Sequence, residues 1–180
     1  MHRKKSVEER NSQYKALVNE YYDLATVFYE WGWGSCFHFS YQFPHESFYE
    51  AIRRHEYQLA SQLGVYGSDN HVLDVLCCIG GPILYIAKFL QCKITGITLN
   101  DYQVHRGNEL TAADPFLAEG QCVSVQGDFM QQPFADASFD AAYAIEATCH
   151  APDRVKCYQE VYRLLQPGAT FCLYEWCTTP

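Results

Sequence analysis

From His71 onward the sequence repeats a strand, a turn and a helix, and this rhythm restricts the fold more than any other feature. Short apolar runs predict five strands, and the segments between them carry apolar residues at helical spacing. The predicted strands are 72–77, 93–99, 121–126, 139–145 and 170–176, and the predicted helices are 82–88, 101–111 and 153–165. Strands that alternate with helices form a mostly parallel sheet with right-handed crossovers. We therefore predict an α/β, doubly wound domain over residues 68–180.

Residues 1–67 lack this rhythm and predict a helical, aromatic-rich extension. Residues 6–30 and 46–63 carry apolar side chains at helical spacing, and Gly64 is a suitable stop for the second helix. Between them, residues 31–39 are rich in glycine and aromatic residues, which predicts a loop that presents its rings. The alternative is that these rings form a hydrophobic lid packed on the core.

Composition and charge exclude several classes of protein. With 13 basic and 21 acidic side chains the formal charge is −8, which is unfavourable for binding a nucleic-acid backbone, so we expect no nucleic-acid partner. The uncharged stretches are too short or too polar to cross a bilayer. The basic N-terminus is not followed by the apolar segment of a secretory signal, so we expect a cytoplasmic protein.

Nine cysteines are scattered through the chain without a pair at CxxC spacing. Adjacent Cys77 and Cys78 lie inside an apolar run and lack the spacing of zinc ligands. We expect reduced, buried thiols and no metal.

The fifth predicted strand ends at Trp176, close to the end of the chain at Pro180. A last strand would leave an exposed sheet edge unless another element covers it. We expect a sheet that is incomplete at the C-terminus, although the N-terminal helices or a dimer would also cover the edge.

In an open α/β sheet, ligands bind at the carboxyl ends of the strands, where the strand order reverses. Polar and glycine residues follow the predicted strands at 74–81, 100–101, 127–129 and 146–150. Asn100 is suited to bond ribose hydroxyls, Asp128 to accept from an exocyclic amine, and Phe129 to stack or to offer its backbone amide. No Lys, Ser or Thr follows Gly80 and Gly81 as a phosphate-binding loop requires, so the set favours an adenosine-containing ligand.

Read together, these motifs resemble the class I methyltransferases that use S-adenosylmethionine, and more closely the sterol 24-C-methyltransferases. The resemblance covers roughly residues 14–178. The matching stretches are Tyr29-Glu30-Trp31-Gly32-Trp33-Gly34 with Phe37-His38-Phe39, residues 72–75 with 79–82, residues 96–103, residues 127–130 with Pro133-Phe134, residues 143–152, Gln166-Pro167-Gly168 and Tyr174-Glu175-Trp176.

The resemblance implies a Rossmann-like sheet, S-adenosylmethionine as the methyl donor and no metal. The implied donor-binding residues are Asp74, Cys77, Gly80, Gly81, Asn100, Gln103, Asp128, Phe129 and Glu146. The implied sterol-binding residues are Tyr29, Trp31, Trp33, Phe37 and Phe39. Glu146 and His150 are the implied catalytic residues, with roles in orienting the sterol hydroxyl or accepting a proton, and Glu30 is the next candidate.

The implied reaction transfers a methyl group to C-24 of a sterol side chain. Attack by the side-chain alkene creates a carbocation, and a base then removes a proton. Aromatic faces stabilise a cation by roughly 0.5–2 kcal/mol each. The implied partners are a sterol, the surface of the endoplasmic reticulum membrane, and a homo- or hetero-oligomer.

Two positions depart from the family pattern and leave alternatives open. The family has glycines where this chain has Leu76 and Cys78, and a non-glycine residue at positive φ costs about 1–2 kcal/mol. One alternative is an impaired or inactive relative that binds sterol or a full-length partner. Another is a class I methyltransferase with a small-molecule acceptor, against which the aromatic segment argues.

Overall fold

The computed structural model describes the backbone of residues 7–178 and the side chains of residues 13–178. Five parallel strands form one sheet in the order β3-β2-β1-β4-β5. The strands are β1 His71–Val75, β2 Lys93–Thr98, β3 Cys122–Gln126, β4 Phe139–Ile145 and β5 Leu165–Tyr174. The predicted parallel α/β fold is confirmed.

Five α-helices accompany the sheet in the described part of the chain. They are α1 Val7–Trp33, α2 Phe48–Ser61, α3 Gly81–Leu90, α4 Asp101–Ala113 and α5 Arg154–Leu164, and a short 3₁₀ helix spans Thr148–His150. Side chains fix three of the starts, because Ser47, Asn100 and Asp153 accept hydrogen bonds from backbone N–H groups of the first turns of α2, α4 and α5.

Apolar side chains pack on both faces of the central strands, which explains why these strands are mostly apolar. Val72 and Ala141 pack with α2 and α3 on one face. Leu73 and Ala142 pack with α5 on the other. Neighbouring strand residues thus belong to opposite cores, and the doubly wound arrangement is confirmed.

The prediction of a loop over residues 31–39 is wrong for residues 31–33. Helix α1 continues through Trp33, and Gly34 ends it at φ +80° while its N–H donates to the Glu30 carbonyl at 3.0 Å. Gly32 is tolerated inside the helix. Gly34 and Ser35 form a turn, and the segment that follows them has no regular secondary structure.

Strand β5 begins earlier than predicted. Leu165 pairs with Phe139, and the next pair joins Thr170 to Ala141, so residues 166–169 bulge out of the ladder. Gln166, Pro167 and Gly168, one of the stretches that match the family, lie within this bulge. Within the described residues β5 pairs with β4 alone.

Among residues 7–178, none of the helices has the length and apolar character needed to span a bilayer.

Candidate active site

The strand order reverses between β1 and β4, and the predicted site residues collect around the carboxyl ends of the strands at this point. Asp74 lies in β1, the 76–81 turn joins β1 to α3, and Asn100 precedes α4. Asp128 follows β3 and Glu146 follows β4. The sheet therefore brings together residues that are far apart in sequence.

The turn after β1 has an unusual backbone. Leu76 and Cys78 take φ values of +71° and +50°, and Gly80 takes +74°. These angles favour glycine, and a residue with a side chain pays about 1–2 kcal/mol to adopt them. The Leu76 side chain is buried, so it fills space directly under the turn.

Gly81 is needed for a close approach between two segments. A Cβ at this position would lie 2.1 Å from the Ser35 carbonyl oxygen, so the chain that leaves α1 passes directly over the start of α3. Cys77 lies beneath the same turn and is buried, with Sγ 3.9 Å from the Ser124 Oγ. The turn is packed from both sides.

Asp74 is a carboxyl group buried in β1, next to Tyr143 in β4. Burial raises the pKa of Asp74 to about 7, and the Tyr143 hydroxyl and His38 act in the opposite direction. The group is thus near its protonation midpoint at neutral pH.

Helix α1 supplies polar partners to the residues that precede and begin α4. The Asn100 Nδ2 donates to the Asn19 Oδ1 at 3.0 Å and to the Asp23 Oδ1 at 2.5 Å. The Gln103 Nε2 donates to the Thr26 Oγ1 at 3.0 Å, and the Gln103 backbone N–H donates to the Asn100 Oδ1. Both predicted residues therefore face α1.

Asp128 is bonded to α1 in the same way. Its carboxylate accepts from the Tyr14 hydroxyl, pairs with the Lys15 Nζ at 2.7 Å and accepts from the Met130 N–H. The Phe129 ring is buried in the core, with its edge against the Tyr14 ring at a centroid distance of 6.2 Å. Of the two predicted roles for Phe129, this placement favours the backbone amide over the stacking face.

An aromatic cavity of about 250 Å³ opens beside the carboxyl end of β4. Its lining residues are Tyr21, Tyr22, Tyr29, Trp33, Phe37, His38, Phe39, Glu146, Cys149, His150 and Trp176. The rings contact one another in sequence, with centroid distances of 5.4 Å between Tyr29 and Phe37 and 6.1 Å between Trp33 and Phe39. Four of the five predicted aromatic residues line this cavity.

Trp31 and Glu30 lie elsewhere. The Trp31 side chain is 89% exposed on the outer side of α1. The Glu30 carboxylate accepts from the Arg106 Nη2 at 2.6 Å and from the Arg106 Nε at 2.8 Å. Neither residue lines the aromatic cavity, so the geometry gives Glu30 a structural contact between α1 and α4 instead of a place near the reacting atoms.

Glu146 and His150 both line the cavity. The Glu146 Oε1 accepts from the Phe39 N–H and its Oε2 accepts from the Trp176 Nε1–H, both at 3.0 Å. Burial raises the pKa of Glu146. The His150 Nε2 lies 3.1 Å from the Tyr22 hydroxyl, and burial lowers the pKa of this imidazole, which favours its neutral form.

A second, much smaller cavity of about 20 Å³ lies at the turn after β1. Its lining residues are Phe37, His38, Asp74, Leu76, Cys77, Cys78, Pro82 and Ile145. Phe37 and His38 line both cavities, so they form the wall between the small cavity at the turn after β1, which we call the glycine turn, and the aromatic cavity.

Sequence reasoning missed His38 as a site residue, although it stands within the quoted aromatic motif. It is buried, with Nε2 3.1 Å from the Glu56 Oε1 and Nδ1 3.2 Å from the Phe39 carbonyl oxygen. Tyr21, Tyr22, Cys149 and Trp176 were missed as well. Their position in the cavity depends on long-range packing that no local pattern reveals.

Cys36, His38 and Glu56 form a buried cluster whose possible ligand atoms lie within 4.8 Å of one another. The Arg53 guanidinium donates to Glu56 and lies 3.5 Å from the Cys36 Sγ. The positive charge beside Cys36 and Glu56 is therefore already supplied by Arg53. Burial also raises the pKa of Cys36 to about 12, which keeps the thiol protonated. This donor set is poorly suited to a metal.

The sheet order and the polar groups at the ends of β2 and β3 agree with the class I methyltransferase fold that the sequence motifs predict, and the turn after β1 differs from it at Leu76 and Cys78. A family model described as "Methyltransferase domain" matches residues 73–173, and the chain belongs to this family.

The relatives also confirm the resemblance to sterol 24-C-methyltransferases. The chain is 55% identical over 172 residues to cycloartenol-C-24-methyltransferase 1 of Oryza sativa subsp. japonica, covering 96% of this chain and 49% of that protein. It is 52% identical to a sterol 24-C-methyltransferase of Neurospora crassa, covering 96% of this chain and 45% of that protein. The chain thus spans about half the length of the curated relatives it matches.

Among solved structures, the [4+2]-cyclase SpnF superposes with a TM-score of 0.81 at 27% identity, covering 89% of this chain and 60% of that chain. Because that protein is described as a cyclase, the fold alone does not determine the reaction. The residues of the site must support the argument for function.

Proposed function

We propose that this chain binds S-adenosylmethionine at the carboxyl ends of β1, β2 and β3 and transfers its methyl group to C-24 of a sterol side chain. The observation that supports this best is the shared wall of Phe37 and His38 between the glycine turn and the aromatic cavity. A donor at the turn and an apolar acceptor in the aromatic cavity would lie on opposite sides of this wall, and the turn-side cavity of about 20 Å³ must widen to hold the donor. The identities of 52–55% to C-24 methyltransferases point to the same acceptor.

The donor half of the site consists of the turn with Cys77, Gly80 and Gly81, together with Asp74 beneath it. Asn100 and Asp128 bear the polar groups suited to the ribose and the adenine amine. Both bond to side chains of α1, which are Asn19 and Asp23 for Asn100 and Tyr14 and Lys15 for Asp128. A nucleoside that bound to Asn100 and Asp128 would replace these contacts. When bound, S-adenosylmethionine supplies an electrophilic methyl group on a sulfonium.

The acceptor half of the site is the aromatic cavity. Its volume of about 250 Å³ suits a sterol side chain, with the ring system extending toward the mouth. The alkene electrons form the new carbon–carbon bond as the methyl–sulfur bond breaks, and the positive charge passes to the sterol carbon. Tyr29, Trp33 and Phe37 surround this position with π faces, each worth roughly 0.5–2 kcal/mol to a cation.

The last step is loss of a proton from the sterol, which restores a neutral product. His150 lines the cavity and burial lowers its pKa, which favours the neutral form that can take up a proton, so we assign it the role of proton acceptor. Both carboxylate oxygens of Glu146 are engaged by Phe39 and Trp176. Glu146 therefore holds the aromatic segment in place and orients the acceptor.

The experiment is a methyl-transfer assay with radiolabelled S-adenosylmethionine and a sterol that carries the side-chain alkene. Loss of a positioned general base lowers a rate by about 10²–10⁴-fold, which we expect for His150→Gln. We expect Glu146→Gln to lower it by at least tenfold. The matched controls are His105→Gln and Glu119→Gln, which change the same residue types at exposed positions. Equal losses in variants and controls would contradict the proposal.

A second candidate, an impaired relative that binds sterol without transferring a methyl group, has one observation in its favour. Leu76 and Cys78 occupy positive-φ positions, and the cavity beside them is only about 20 Å³. The identity to methyltransferases over 96% of this chain favours the enzyme. A chain that binds the sterol and the donor but transfers nothing would favour the impaired relative.

We also propose that the chain works at the surface of the endoplasmic reticulum membrane, since its acceptor is a membrane lipid and none of its described helices can span a bilayer. Vesicle binding, described next, tests the membrane contact.

A further inference from the structure

The polarity of helix α1 is inverted relative to that of an ordinary surface helix. Its inner side carries Asn19, Thr26 and Glu30, which bond to residues at the start of α4 and within it. Its outer side carries large apolar groups that are about half exposed or more: Leu17 at 49%, Tyr21 at 48%, Leu24 at 71%, Val27 at 57%, Phe28 at 66% and Trp31 at 89%. We call these six residues the outer stripe.

The outer stripe follows one side of α1, and exposed Glu20 lies within it, three residues after Leu17 and four before Leu24. Leu17, Leu24, Phe28 and Trp31 are spaced by seven, four and three residues, which places them on one side of a helix. At about 1.5 Å per residue the stripe is about 21 Å long. A contiguous exposed apolar patch on a protein marks an interaction site.

The stripe continues into the aromatic cavity. Tyr21 belongs to the stripe and also lines the cavity. Phe39 and Trp176 line the same cavity and are at least half exposed at its mouth. An apolar molecule would therefore pass from the stripe into the cavity without crossing a polar surface.

The charge of α1 and of the whole chain limits the kind of partner that the outer stripe can bind. From Ala16 to Trp33 the helix has no Lys or Arg, and exposed Glu20 lies within the stripe, while exposed Asp23 lies toward α4, where it accepts from Asn100. The whole chain has a formal charge of −8. Attraction to anionic lipid needs basic residues, so this surface does not suit an anionic membrane. Trp, Tyr, Phe and Leu on one helix face are the residues that enter the boundary between headgroups and acyl chains.

We propose that the outer stripe of α1 docks on a bilayer with zwitterionic headgroups, so that the mouth of the aromatic cavity opens toward the lipid. This inference rests on the proposed function, because a sterol acceptor reaches the cavity from a membrane. It adds the surface that makes the contact and the lipid charge that this surface prefers.

The experiment is flotation of the full chain with phosphatidylcholine vesicles that contain neither sterol nor methyl donor. We expect the wild-type chain to float, and Phe28→Ser/Trp31→Ser to lower the partition coefficient about tenfold or more, since two large side chains no longer enter the bilayer. Phe116→Ser/Tyr162→Ser is the matched control, because it removes two rings that are 80% and 83% exposed outside the stripe. This control should float like the wild type.

Two further readouts make the test sharper. Adding phosphatidylserine should weaken binding, because both surfaces are then negative. Brominated lipid should quench the fluorescence of Trp31 on the stripe and of Trp176 at the mouth of the cavity, and Trp31→Phe should reduce that quenching. Circular dichroism and thermal melting confirm that each variant is folded, and Leu24→Ser/Val27→Ser replaces the first variant if it is not.

The inference is overturned if the wild-type chain does not float, or if the control variant loses as much binding as the stripe variant. It is also overturned if the stripe serves dimerisation instead of membrane binding. In that case the wild-type chain sediments as a dimer and does not bind vesicles, and Phe28→Ser/Trp31→Ser sediments as a monomer. These outcomes bear on the membrane contact alone, and the proposed methyl transfer is tested separately by calorimetry of donor binding to the same variants.

Discussion

In the turn after β1, single residues determine both the backbone strain and the packing of the candidate site. Leu76 and Cys78 hold backbone angles that favour glycine, and Leu76 also packs in the core with Ile97 and Phe129. Backbone strain and side-chain burial therefore act in opposite directions at one position. The free energies of these two opposing effects can be compared by measuring the stability of variants at position 76.

We predict that Leu76→Gly lowers the free energy of unfolding, because loss of a buried leucine side chain costs about 2–5 kcal/mol and relief of positive φ returns only about 1–2 kcal/mol. Leu76→Ala loses almost the same side chain but keeps the strain. Urea denaturation should therefore find the glycine variant more stable than the alanine variant by about 1–2 kcal/mol. An alanine variant of equal or greater stability would show that the turn is unstrained.

Asp74 gives a prediction for pH dependence. Its pKa is about 7 in the folded chain and 3.8 in the reference state, so the folded chain retains a proton that the unfolded chain loses between these values. Stability should fall as the pH rises from about 4 to 7, because the unfolded state binds fewer protons there. Asp74→Asn should remove this slope.

The measurement is thermal unfolding of both chains at several pH values. The stability advantage of Asp74→Asn should be small at pH 4, grow up to pH 7 and then stay constant. A constant difference across this range would contradict the raised pKa. The same variant should weaken binding of the methyl donor if Asp74 belongs to the donor site.

At the scale of elements, the contact between the segment after α1 and the start of α3 closes one side of the site. A Cβ on Gly81 would lie 2.1 Å from the Ser35 carbonyl oxygen, whereas a Cβ on Gly32 meets nothing within 4 Å. We predict that Gly81→Ala displaces the 34–36 segment and lowers the melting temperature. Gly32→Ala lies within α1 and should raise helix stability by about 0.5–1 kcal/mol. A Gly81→Ala chain that melts like the wild type would show that this contact is loose.

The ion pair between Glu30 and Arg106 joins α1 to α4. If Glu30 serves only this contact, Glu30→Gln and Arg106→Met should reduce methyl transfer by similar factors, and the double variant should be no worse than either single variant. Hydrogen exchange in α1 should increase equally in all three. A large loss of turnover for Glu30→Gln with normal activity for Arg106→Met would instead return Glu30 to a catalytic role.

The strands and most helices could be predicted from the sequence because their apolar patterns depend on local spacing. Strand β4 begins and ends where predicted, since it is bounded by polar residues and buried on both faces. The end of α1 could not be predicted, because glycine usually interrupts a helix and only the surroundings of Gly32 show that it is tolerated.

At the scale of the whole molecule, the sequence motifs indicated which residues belong to the site but not how α1 covers it. The bond between Tyr14 and Asp128 joins residues 114 positions apart, and no pattern in either segment points to the other. The same holds for His38, whose place between two cavities follows from the packing of α2 against the sheet edge. Long-range contacts of this kind require the structure.

The function that we propose requires that the turn after β1, α1 and the strand ends form a binding site for S-adenosylmethionine. The most direct test is calorimetric titration of S-adenosylmethionine into the full chain and into Leu76→Gly/Cys78→Gly. We expect the wild-type chain to bind, and the double variant to bind at least about tenfold more tightly, since removing the two side chains widens the cavity of about 20 Å³ that they line at the turn. If both chains are folded and neither binds, the claim is contradicted.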